Sequence, residues 1–111
     1  MEQYTIQEIE SSNSLFKQYL KRASSWDESM KLEDLKKEDF VNNFQAYGLF
    51  NESYFIGFSL IKFDHNGNIV SFQSAVDDFK NREQRFEYLN KHMMAYEQEH
   101  NVKQRIKKMG R

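Results

Sequence analysis

The sequence predicts an α+β domain. A small antiparallel sheet of three to four strands packs against two N-terminal helical segments and one long C-terminal helix. Three observations carry this reading. Residues 46–63 are dense in aromatic and branched side chains, as strands are. Asn66-Gly67 stands between two strand-like runs and is the preferred two-residue hairpin turn. Phe86, Leu89, Met93 and Tyr96 recur at intervals of three and four, the apolar seam of a helix.

The first strand is read from residues 2–9, where Tyr4 and Ile6 alternate with polar neighbours. Ser11, Ser12, Asn13 and Ser14 then supply N-cap residues. Leu15, Phe16, Tyr19, Leu20 and Ala23 follow at one-face spacing, so a helix is predicted over 13–23. Residues 24–29 read as a connector, with Trp26 folding back on the core or standing out as a binding anchor. Leu32, Leu35, Phe40, Val41 and Phe44 predict one or two short helices within 31–45, with acids and bases alternating between them.

Residues 46–50 and 53–63 are the next strands, joined by a tight turn at Asn51-Glu52-Ser53. The Asn66-Gly67 turn sets Phe63 against Val70 and Ile61 against Phe72. One sheet face then carries Phe55, Ile61, Phe63, Val70 and Phe72, and the other Tyr54, Ile56, Phe58, Leu60 and Ile69. Both faces are apolar, so strand 53–63 is central and covered on both sides, or one face is a binding surface. Ser74 with Asp77, and Asn81 with Gln84, have the form of capping boxes ahead of the last helix. That helix's seam turns polar at His100 and Lys103, which predicts that its end leaves the core.

One domain spans 1–111. The chain has 111 residues, no Cys, no Pro, four Gly and 15 % aromatic residues. Disulfide scaffolds and Cys-based zinc sites are excluded by the missing thiols. No apolar run reaches the roughly 18 residues of a membrane span, so a cytoplasmic protein without membrane contact is expected. The net charge of -1 hides an asymmetry. Residues 101–111 hold five Lys and Arg and no acid, which leaves 11 bases against 17 acids in the first hundred residues. The basic segment reads either as a helix end, where cations meet the negative end of the dipole, or as a binding tail.

Catalytic constellations are missing. There is no nucleophile elbow, Walker loop or dinucleotide-binding glycine pattern. His92 and His100 are two helical turns apart, too far to share a metal without other ligands. The carboxylates at Glu33, Asp34, Glu38 and Asp39 alternate with lysines, and Asp77-Asp78 opens a helix, where anions meet the positive dipole end. No cofactor, no metal and no catalytic residue are therefore expected.

The run AYGLFNESYFIGFSLIKFDHNGNIVSF, with the strand and helices before it, resembles the central hairpins of the acyl-CoA-dependent N-acetyltransferases of the GNAT superfamily. The resemblance covers residues 2–73 and implies an aromatic strand, a tight turn and an "IGF"-type strand leading to a third. In that family a Gly-rich pyrophosphate loop precedes the next helix. Here Asp77-Asp78-Phe79-Lys80-Asn81-Arg82-Glu83 stands there, without glycine. The resemblance therefore implies layout only.

A small domain without a catalytic signature acts through its surface. The expected function is a non-enzymatic regulatory or interaction role with a protein partner. The small, Asn- and Lys-rich make-up suits an inhibitor or adaptor of mobile-element origin. The candidate partner-binding residues are Tyr96, His100, Lys103, Arg105, Ile106, Lys107, Lys108 and Trp26, and a homodimer through the C-terminal helix uses the same end. Two alternatives stand beside it. One is a nucleic-acid-binding regulator using the basic segment and the aromatic sheet. The other is an acetyltransferase-like remnant.

Overall fold

The computed structural model describes residues 3–10, 14–27, 30, 44–64, 66–77 and 80–109. The side chains at 44, 70 and 107–109 lie outside that description. The elements run β1 (Tyr4–Ile9), α1 (Phe16–Trp26), β2 (Phe44–Asn51), β3 (Tyr54–Phe63), β4 (Ile69–Val76) and α2 (Arg82–Met109). The class is α+β, as expected. The four strands form one antiparallel sheet in the order β1-β2-β3-β4.

β3 is an inner strand, buried from Phe55 through Ile61. Both of its faces are covered. Phe16, Leu20 and Ala23 of α1 pack on Phe50, Phe55, Phe58 and Leu60. Leu89 and Met93 of α2 pack on Leu49, Ile56, Ile61, Ile69 and Val76 of the opposite face. The ring of Phe58 lies edge-on to Phe16 at 6.0 Å, within the favourable range for aromatic pairs.

The assignment of faces differs from the simple alternation because β3 carries a bulge. Leu49 pairs with Gly57 but Phe50 pairs with Phe55, so Ile56 is an extra residue. Its carbonyl accepts from the Asp77 backbone N–H at 2.9 Å. A bulge reverses which side the chain presents. Phe55 therefore joins Phe58 and Leu60 beneath α1, and Ile56 joins Ile61 and Phe63 beneath α2. Gly57 fits there because a Cβ on it would stand 2.9 Å from Leu49 Cβ.

The β3–β4 hairpin has a three-residue loop instead of two. The Gly67 N–H donates to the Asp64 carbonyl at 3.1 Å, and Gly67 takes φ 81. Asp64 Oδ1 also accepts from the backbone of Asn66 and Asn68, at 2.9 Å each. This local bonding by an Asp side chain competes with the two-residue turn. Ile61 still faces Phe72, but Phe63 faces Ile69 rather than Val70.

Other boundaries moved as well. One N-terminal helix is described, not two; 31–43 lies outside the described residues, as do 11–13. Phe44 and Gln45, expected at a helix end, pair with Lys62 and Ile61 in the β2–β3 ladder. α1 starts at Phe16 with Leu15 as its cap, without a side-chain capping bond, and runs three residues past the predicted end. Ser74 is no helix cap. It lies in β4 and its hydroxyl donates to Ser59 Oγ at 3.1 Å, satisfying a fully buried polar residue. In α2 the buried seam includes Arg85, while Phe86 is left 41 % exposed.

Candidate interaction site

The register of α2 turns polar at His100, yet contact with the β3–β4 hairpin continues through His100 and Asn101 before Lys103, Arg105 and Ile106 stand exposed. Asn101 Oδ1 accepts from the Ile69 N–H at 2.8 Å, and its Nδ2 donates to the Ile69 carbonyl at 3.2 Å. His100 Nε2 bonds the Gly67 carbonyl at 2.7 Å. Its ring lies between Phe63, at 5.4 Å, and Tyr96, at 5.8 Å. Polar side chains therefore continue the contact after the apolar seam ends.

Tyr96 belongs to this inner side. It lies 5.4 Å from the Tyr47 ring, and its hydroxyl donates to Gln45 Oε1 at 3.4 Å. Gln45 Nε2 in turn donates to Glu8 at 2.6 Å and to the Tyr47 hydroxyl at 3.1 Å. Burial, and then the neighbouring Tyr96 and Glu8, push the Tyr47 phenol well above the ordinary tyrosine range. A second tyrosine pair, Tyr4 and Tyr88 at 4.9 Å, fastens the other end of α2 to β1.

Trp26, expected in a connector, is the last residue of α1. It stacks on Phe55 at 5.3 Å and 28° and closes the edge of the α1 core. Of the predicted partner-binding residues, Tyr96, His100 and Trp26 thus have intramolecular packing contacts. Lys103, Arg105 and Ile106 are exposed on the outer side, and Ile106 keeps 63 % of its surface in solvent. The side chains of Lys107 and Lys108 lie outside the described residues.

Met94 at 62 % and Val102 at 43 % add apolar surface to the exposed part of α2, as do Phe86 and Tyr88 nearer its start. An open depression of about 470 Å³ is lined by Ala95, Gln98, Glu99, Val102 and Lys103. Ala95, Gln98 and Glu99 were not anticipated as site residues. Their signal was in the sequence as an alanine among long polar side chains on the side away from the seam.

Of the aromatic residues of β3, Tyr54 is 72 % exposed. Phe50, Phe55 and Phe58 are buried beneath α1. Among the described residues no group of three His, Asp or Glu is placed to hold a metal, and no helix is long and apolar enough to cross a membrane. Comparison with known families, curated proteins and solved structures finds no match.

Proposed function

We propose that the chain is a non-enzymatic interaction protein that engages a protein partner through the solvent-facing side of α2. One observation supports this above the others. Val102 and Ile106 remain exposed while flanked by Lys103 and Arg105, on a helix whose opposite side packs on the sheet through Leu89, Met93 and Tyr96 and bonds the hairpin through His100 and Asn101. Apolar residues ringed by charge are the usual composition of a docking patch. Met94 adds a soft, adaptable side chain to it.

The test is affinity capture with the intact chain, run beside a Val102→Asp/Ile106→Asp variant. Both positions are exposed, so the variant should fold with an unchanged circular-dichroism spectrum. The expected result is at least one protein retained by the natural chain and lost by the variant. Identical captured sets would overturn the reading.

A further inference from the structure

One row of α2 has a charge order that fits a second copy of itself. Glu87, Lys91, Ala95, Glu99 and Lys103 lie four residues apart, and all five are exposed. Residues at this spacing form a ridge on a helix. When such ridges of two helices interdigitate, the axes cross at about -50°, the commonest packing class in globular proteins.

Laid antiparallel on itself about Ala95, the row sets Lys91 against the partner's Glu99 and Glu87 against the partner's Lys103. A two-fold axis repeats each pair. Every charge on the row then meets its opposite. A parallel arrangement would set like against like. The smallest side chain of the five falls at the crossing point, beside the depression, where the two backbones come closest. The neighbouring row, Met94, Gln98, Val102 and Ile106, brings apolar surface to the same side.

We propose that a second copy of this chain docks antiparallel on the exposed side of α2, crossing at Ala95. This rests on the reading of that side as the interaction surface, and it names the partner. Charge complementarity selects the antiparallel register and disfavours the parallel one.

Within one chain, Lys91 Nζ already lies 3.9 Å from Glu87 Oε1, an exposed i,i+4 pair. A charge swap separates the two roles of Lys91. Lys91→Glu places like charges in contact within the helix and across the dimer. The double variant Lys91→Glu/Glu99→Lys restores opposite charges across the dimer but leaves like charges four apart within each helix.

The experiment is sedimentation equilibrium of the purified full chain over a concentration series, with circular dichroism to confirm folding. The natural chain should self-associate. Lys91→Glu should weaken association about tenfold, since two exposed attractive pairs become repulsive. The double variant should recover it. A natural chain that stays monomeric throughout, or a double variant no tighter than the single one, would overturn the proposal. A monomer that still captures a different protein through Val102 and Ile106 would defeat this inference while leaving the proposed function standing.

Discussion

Asn101 grips both backbone groups of Ile69, accepting at 2.8 Å and donating at 3.2 Å. A side-chain amide here takes the place of a neighbouring strand at the start of β4. Since β4 lies at the edge of the sheet, the contact protects part of an edge that would otherwise invite pairing. It also fixes the second half of α2 to the hairpin.

Asn101→Ala should therefore cost about 1–3 kcal/mol, because two part-buried backbone groups lose their partner. Asn101→Asp keeps the acceptor and loses the donor, so its cost should be smaller. Urea unfolding measures both, and amide exchange should quicken at Ile69. An Asn101→Ala variant as stable as the natural chain would remove the pin.

Phe58 is fully buried where α1 meets the sheet. Phe58→Ala should cost about 3–5 kcal/mol, the range for deleting a core phenyl ring. Phe58→Leu keeps most of the volume and should cost clearly less. The midpoint of denaturant unfolding reports both.

At Gly67, with φ 81, the nearest atom to an added Cβ would be Gln104 Oε1 at 3.7 Å. Space is available, so the cost of Gly67→Ala is conformational, about 1–2 kcal/mol. Gly67→Asn should recover part of it, since Asn tolerates this backbone region better. Thermal unfolding of the pair checks the order.

Tyr47 should give the fold a distinct alkaline limit. Its phenol ionises at higher pH in the folded chain than in the unfolded one. The unfolded chain thus loses its proton first, near the ordinary value of about 10. The stability tied to this group is fully present below that pH and is lost as pH rises toward the folded value. Spectrophotometric titration should show a late-ionising phenol component that disappears in Tyr47→Phe. The same variant should lose less stability between neutral pH and high pH.

The long elements were legible because their signals are repeated many times. Leu89 and Met93 mark the seam of α2, and Phe16, Leu20 and Ala23 the buried stripe of α1. What escaped the sequence depends on single residues bonding across the fold. The extra Ile56 is stabilised by the distant Asp77 N–H, and it alone moves Phe55 to the other face. The three-residue hairpin loop rests on Asp64 bonding its own backbone. His100 and Lys103 looked like a helix end leaving the core, and the hold of His100 and Asn101 on the hairpin was not foreseen, because periodicity registers apolar contact and not hydrogen bonds. Ile106, Lys103 and Arg105 were found as surface residues, whereas Ala95 and Glu99 matter only through the row they share.

Because the chain has no cysteine, one introduced thiol can report where two copies meet. Disulfide formation requires Cβ atoms within roughly 3.5–4.5 Å. Ala95→Cys puts the thiol at the proposed crossing point, and Lys17→Cys puts it on the exposed side of α1 as a control. Under mild oxidation, Ala95→Cys should yield covalent dimer rapidly while Lys17→Cys stays largely monomeric. Equal, slow dimer formation at both positions would contradict antiparallel docking through α2.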